Sequence, residues 1–231
     1  VNLKDSKLKQ VLRQVKIDLL DGYAIKSYSL EGEDMILKSL FEERQTGFYI
    51  DVGAHHPKKF SNTYFFYKRG WSGINIDAMP GSMEPFRKIR SRDINLEAAI
   101  AKEPREMTFF IFDEPALNTF DSDLAAQRIR EKFQVIAEKK ITTKTLKEIL
   151  NECLPKGTKI TFLSIDVEGL DLEVLQSNDW QAFRPECVLV ECLGLNMNDL
   201  QNNPVYQFLA QQQYEVVAKT GRTVFFQDST L

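Results

Sequence analysis

The chain has 231 residues, 43% of them hydrophobic, and a formal net charge of −3. This length and apolar share suit one α/β domain with a full core. The mild acidity excludes the broad affinity for nucleic acid that a strongly basic chain carries, and no apolar run is long enough to span a membrane. Cys153, Cys187 and Cys192 are too scattered for a disulfide framework or a CxxC metal site, which suits a reducing, cytoplasmic setting. The basic cluster Arg87-Lys88-Ile89-Arg90-Ser91-Arg92 reads as a solvated helix face.

Leu8, Val11, Leu12, Val15 and Leu19 follow a helical spacing that Gly22 closes. This amphipathic helix is expected to pack on its own domain; the alternative is another subunit, giving a homo-oligomer through the helix. A second helix is expected from near Gly32, with Met35, Ile36, Leu40 and Phe41 inward. Phe48–Asp51 reads as the first strand, and Ser61 as the cap of a helix ending at Gly70. A strand over Ser72–Ala78, a helix over Met83–Arg90 and a strand over Asn95–Ala101 follow. Glu106–Phe112 is strand-like and either extends the sheet or forms a side hairpin. After a loop at 113–123, a helix is expected at Leu124–Lys132, a strand at Val135–Thr142 and a helix at Leu146–Cys153. Ile160–Asp166 reads as a core strand, Leu170–Gln176 as a helix and Val188–Glu191 as a buried strand. Asp199–Gln212 reads as one helix, and Tyr214–Lys219 with Thr223–Gln227 as a closing hairpin. Alternating strands and helices imply a parallel sheet with helices on both faces. The expected division is a helical extension at 1–46 packing on the core, and a main domain at 47–231.

Four expected strands end in acids: Asp51, Asp77, Asp166 and Glu191. In a parallel sheet these ends share one rim, where cofactors bind near the point at which strand order reverses. Asp51 is followed by Val52, Gly53 and Ala54, a tight turn that lets backbone approach a ligand closely. Asp77 then falls where an acid accepts from ribose hydroxyls. The turn lacks the G-x-G-x-x-G of dinucleotide sites, and an acid there repels phosphate. A cofactor with adenosine and an amino-acid tail but no phosphate fits better, namely S-adenosylmethionine. The two histidines of the chain, His55 and His56, both fall in this turn; either could serve as a base or support the loop. Asp166 and Glu168 stand two apart beside Gly169 and could orient a hydroxyl, take its proton or hold a divalent metal, although Glu168 could instead cap the next helix.

Tyr28-Ser-Leu-Glu-Gly-Glu-Asp-Met-Ile-Leu37, Asp51-Val-Gly-Ala-His-His-Pro57, Ser61-Asn-Thr-Tyr64, Gly70-Trp-Ser-Gly-Ile-Asn-Ile-Asp77 and Ile165-Asp-Val-Glu-Gly169 together resemble the FkbM-type methyltransferases. The resemblance runs in order from Tyr28 to Glu191 and its specificity lies in the combination. It implies a class I methyltransferase Rossmann-like fold: a mostly parallel seven-stranded sheet, helices on both faces and an antiparallel C-terminal hairpin. It implies methyl transfer from S-adenosylmethionine to a hydroxyl oxygen, with a sugar of a glycan or polysaccharide, or a natural product, as acceptor. The rival is a non-catalytic cofactor-binding or assembly module. Carried onto this chain, the family pattern sets Asp51, Gly53 and Ala54 at the methionine end, Asp77 with Ala78 at the ribose, and Asn95 to Ala99, including Ala98, against the adenine. Glu33 would fold back over the pocket. His55, Asp166 and Glu168 are the expected catalytic residues, and Asp166 would also touch the cofactor. If Mg²⁺ takes part, Asp166, Glu168 and Glu191 would hold it. The family's usual glutamine is replaced by Leu30.

Overall fold

A computed structural model describes residues 3–19 and 23–231. Seven strands form one sheet in the order β3-β2-β1-β6-β7-β9-β8. They are β1 (Phe48–Val52), β2 (Ser72–Asp77), β3 (Ile94–Glu97), β6 (Phe162–Ile165), β7 (Cys187–Glu191), β8 (Tyr214–Lys219) and β9 (Thr223–Asp228). The first five run parallel, whereas β9 is antiparallel to both β7 and β8. Strand order reverses at β1, flanked by β2 and β6, so a crevice opens above its carboxyl end. The remaining strands, β4 (Glu106–Phe112) and β5 (Val135–Thr142), form a separate two-stranded sheet, which decides for the side hairpin.

The helices are α1 (Leu3–Leu19), α2 (Glu33–Leu40), α3 (Tyr64–Lys68), α4 (Met83–Ile89), α5 (Ser122–Arg130), α6 (Leu146–Cys153), α7 (Asp171–Gln176) and α8 (Pro204–Gln211). The central strands are buried on both faces, so their side chains alternate between two cores. Ile50, Val52, Ile76, Leu163 and Val190 pack with Leu146, Ile149 and Leu150 of α6 and Val174 of α7. On the opposite side Tyr49, Phe162 and Leu189 pack with Leu37 of α2, Phe66 of α3 and Trp71. α2 thus packs on this second core through Leu37. The apolar stripe of α1 lies open instead: Leu8, Val11, Leu12, Val15 and Leu19 are all exposed. The stop at Gly22 lies outside the described residues.

Three expected elements differ in extent. The helix expected over Asp199–Gln212 is split: a 3-10 turn at Met197–Asn202 precedes α8, because Pro204 has no N–H to continue a helix and suits its first turn instead. Asn203 caps the new start by accepting from the N–H groups of Val205 and Tyr206. Strand β3 stops at Glu97 because the chain then turns to pair Ile100 with Lys144. The helix assigned to Ser61 starts at Tyr64, although the Ser61 hydroxyl does accept from the Tyr64 N–H at 3.1 Å.

A polar row crosses the sheet one step below its rim: Asn95, Asn75, Asp51 and Ser164 lie side by side in register on four strands. Buried polar groups in a sheet are tolerable only when hydrogen-bonded. Arg90 does much of this. It is fully buried, not the solvated residue its basic neighbours suggest, and it pairs with Asp93 at 2.8 Å. It also donates to the Thr63 hydroxyl at 2.9 Å and the Tyr49 hydroxyl at 2.8 Å. Asp93 in turn accepts from Tyr49, Asn75 and the Gly73 N–H.

Candidate active site

A cavity of about 940 Å³ opens above the carboxyl ends of β1, β2, β6 and β7. Gly53 makes it possible. Its φ is +86°, and a Cβ there would lie 1.7 Å from the Asp166 carbonyl oxygen. Only glycine lets the turn after β1 lie this close to the end of β6. The Gly53 and Ala54 N–H groups both donate to the Ile76 carbonyl, at 2.9 and 3.0 Å, which binds the turn to β2 as well.

On the β2 side the wall holds Asp77, Ala78, Ala98 and Ile100, facing Phe109, Leu117 and Phe120 from the hairpin insert. Asp77 accepts from the Met79 N–H at 2.8 Å through one oxygen and the His55 N–H at 2.9 Å through the other. Each oxygen keeps a second lone pair for a hydroxyl. Burial raises its carboxyl pKa, and the two N–H donors oppose that rise.

On the β6–β7 side stand Asp166, Glu168 and Glu191, each offering a carboxylate oxygen within 4.8 Å of the others. Asp166 is open to the space of the cavity, with the protein wall around it. Its pKa is raised well above the usual carboxylate range, first by lost hydration and then by the charges of Glu191 and Glu168. Glu191 is pushed up to about 7 by desolvation and by Glu168 and Asp171, with Arg222 and Arg128 pulling it back. Glu168 has a φ of +54° and is ion-paired to Arg128 of α5. Arg128 also donates to the Leu117 carbonyl, while the Thr119 hydroxyl donates to the Glu168 carbonyl at 2.6 Å. The insert therefore clamps the Asp166–Gly169 turn.

The family model of the methyltransferase FkbM domain matches residues 51–216. The chain belongs to this family. It is an S-adenosylmethionine-dependent methyltransferase. No curated protein matches the chain. Among solved structures it resembles a TehB-like SAM-dependent methyltransferase from Corynebacterium glutamicum ATCC 13032 Kitasato, at 8% identity over 99% of this chain and 100% of the other, with a TM-score of 0.43. It also resembles an O-methyltransferase from Bacillus cereus in complex with SAH, at 10% identity over 96% of this chain and 90% of the other, with a TM-score of 0.40.

For this FkbM-domain methyltransferase, the cavity gathers Glu33, Gly53, His55, Asp77, Ala78, Ala98, Asp166, Glu168 and Glu191 out of the residues expected at the site. Asp51, Ala54 and Asn95 stand outside its lining. Asp51 is buried in the polar row, where it accepts from the Thr63 hydroxyl at 2.7 Å, and Asn95 donates to the carbonyls of Arg90 and Asp93. Both therefore support the floor and do not form its surface. The histidines also separate. Nδ1 of His56 accepts from the N–H groups of Lys58 and Lys59, at 3.1 and 2.9 Å, so this ring holds the loop together. His55 sits beside Asp77 with φ +50° and its ring stacked on Phe60. Desolvation lowers its pKa, and the charge of Asp77 opposes that fall. Arg128, Arg222, Phe60 and Asn62 line or brace the site and were missed from the sequence. A signal was on hand for Asn62 alone, in the Ser61-Asn62-Thr63 motif.

Proposed function

We propose that this enzyme methylates a hydroxyl oxygen, with a sugar of a glycan, polysaccharide or natural product as the acceptor. The observation that carries this reading is a single cavity with two chemically different ends. At one end Asp77 has lone pairs free for ribose hydroxyls; at the other are three acids suited to an acceptor hydroxyl. S-adenosylmethionine would lie between them, adenine between Ala98 and the insert, ribose on Asp77, and sulfonium passing over Gly53 toward Asp166.

Methyl transfer is an in-line displacement at the sulfonium. Alignment of acceptor oxygen, methyl carbon and sulfur supplies much of the lowering of the barrier. A base with a pKa near the working pH adds about 10²- to 10⁴-fold. Glu191 suits that task, since its carboxyl is raised to about 7 and no hydrogen bond ties its side chain among the described residues. Asp166 would orient the hydroxyl, and Glu168, fixed by Arg128, would hold the acceptor. His55 lies with Asp77 at the ribose end, which favours a cofactor contact over proton removal.

The same three acids are the group that could hold Mg²⁺. Their fit is poor, because Arg128 already neutralises Glu168 and Mg²⁺ demands close octahedral oxygens at about 2.1 Å. We expect proton chemistry without a metal and activity that survives a chelator.

Calorimetric titration with S-adenosylmethionine and S-adenosylhomocysteine, followed by an acceptor screen over sugars, tests this reading. Full activity in Glu191→Gln and Asp166→Asn together would refute the acid-centred mechanism. Methylation of amines but of no hydroxyl would refute the acceptor class.

We also propose that residues 1–46 divide in function. The α2 part belongs to the enzyme unit, since Leu37 is buried in the core and Glu33 lines the cavity. The open stripe of α1 serves contacts outside it, self-association included. Unchanged S-adenosylhomocysteine affinity after proteolytic removal of α1 would support the division. Three free cysteines suit a cytoplasmic location; among the described residues no helix is long and apolar enough to cross a membrane.

A further inference from the structure

The Ser61-Asn62-Thr63 motif joins four parts of the fold. The Ser61 N–H donates to the Tyr28 carbonyl at 3.0 Å, which ties it to the segment leading into α2. Thr63 donates to Asp51 on β1 at 2.7 Å and receives Arg90, just past the end of α4, at 2.9 Å. Asn62 reaches across to β6, where its Nδ2 donates to the Ser164 hydroxyl at 3.1 Å. Ser61 and Thr63 are buried and face inward. Asn62, between them, is half-buried and lines the cavity.

This arrangement leaves Asn62 with one engaged and one free end. Its Nδ2 is held by Ser164, whereas its Oδ1 accepts no hydrogen bond among the described residues. An amide carbonyl oxygen on a cavity wall, with its plane fixed by a second bond, is built to accept from a ligand donor. S-adenosylmethionine carries such a donor in the ammonium of its amino-acid tail. Glu33 lines the same cavity from the start of α2, and one of its oxygens has only two long contacts of 3.4 Å, from the Thr220 and Thr223 hydroxyls. It supplies the negative charge that an ammonium needs. Asp51, the acid expected for this end, is committed to Thr63 and stands outside the lining.

We propose that Asn62 is a cofactor-binding residue that accepts from the tail ammonium through Oδ1, with Ser164 as the residue that orients it. The inference rests on the reading that the cofactor occupies this cavity with its ribose on Asp77. Loss of a hydrogen bond to a charged group weakens binding about 10- to 100-fold.

The experiment compares two ligands by calorimetry. S-Adenosylhomocysteine carries the amino-acid tail; 5′-methylthioadenosine carries adenine and ribose but neither ammonium nor carboxylate. Asn62→Ala is expected to weaken S-adenosylhomocysteine about 10- to 100-fold and to change methylthioadenosine less than about threefold. Equal weakening of both ligands overturns the proposal, because a merely structural role cannot tell them apart; so does no weakening of either. Should Asn62→Ala fail to fold, Ser164→Ala replaces it, with a loss for S-adenosylhomocysteine alone of about 3- to 10-fold as the supporting result and equal or no loss as the refuting one. Asp77→Asn separates this inference from its premise. If that variant binds both ligands like the wild type, the assignment of the cavity itself fails. If it weakens both while Asn62→Ala weakens neither, the role of Asn62 alone fails.

Discussion

Gly53→Ala isolates the contact on which the site is built. Two effects follow from adding one methyl. The first is conformational, since φ is +86° and an L-residue in that region pays about 1–2 kcal/mol. The second is steric: the new Cβ would sit 1.7 Å from the Asp166 carbonyl oxygen and 2.6 Å from its carbon. Backbone, and not a flexible side chain, must retreat by about 1.7 Å or more to restore ordinary contact distance. That retreat strains the bond from the Asp166 N–H to the Val52 carbonyl, now 3.0 Å, at the end of the β1–β6 ladder. Together these effects should destabilise the fold by about 3–5 kcal/mol.

Gly157→Ala supplies the reference. Its φ is +76°, but nothing lies within 4 Å of the position a Cβ would take. That variant carries the conformational part alone, about 1–2 kcal/mol. For a chain of this size 1 kcal/mol shifts Tm by about 2–4 °C. Scanning calorimetry should therefore show a fall of about 6–20 °C for Gly53→Ala against about 2–8 °C for Gly157→Ala. S-Adenosylhomocysteine affinity should fall in the first and hold in the second. Equal Tm losses in the two variants would refute the close approach of Gly53 to β6, and unchanged affinity in Gly53→Ala would refute its place in the cofactor cradle.

Arg128→Met should leave the half-buried Glu168 carboxyl without its partner beside two other acids, at a cost of about 1–3 kcal/mol; denaturant midpoints of the single variants and of Arg128→Met/Glu168→Gln should show the double losing less than the sum, and strict additivity would refute the pairing. Glu191 has a folded pKa of about 7 against an ordinary 4.5, so between those values the native state holds more protons than the unfolded one. Its contribution is present below pH 4.5 and is lost as pH rises through 7; the midpoint difference between wild type and Glu191→Gln should change across that window, and a constant difference would refute the shift. The same titration should make the methyl-transfer rate rise through about pH 7 as Glu191 becomes free to accept a proton. Thr63→Val removes the hydroxyl shared by Asp51 and Arg90 and should destabilise by about 1–3 kcal/mol, with Thr63→Ser recovering most of it in the same melt.

The strand-end acids were legible in the sequence because a parallel sheet puts all such ends on one rim, and alternation of apolar residues locates the strands. What the pattern does not carry is which acids surface in the cavity. Asp51 and Asp77 look alike in sequence, each ending a strand. They part because Thr63 closes over Asp51, whereas two backbone N–H groups hold Asp77 at the cavity wall. The same limit explains Arg90. In a run with Arg87, Lys88 and Arg92 it carries every sign of a solvated face. Its partner Asp93 is only three residues on, but the burial comes from Tyr49 and Thr63, far away in sequence. Arg128 is further from reach, since it lies 40 residues from Glu168 and meets it through the fold of the insert. Local pattern thus locates the groups that face a ligand, while their ionisation is set by residues the topology brings in from elsewhere. That division bears on mechanism. Glu168 and Glu191 belong to one cluster of acids, but the insert gives Arg128 to Glu168 as its ion-pair partner and, among the described residues, leaves Glu191 without one. The insert is thereby an electrostatic part of the enzyme as well as a wall of its pocket.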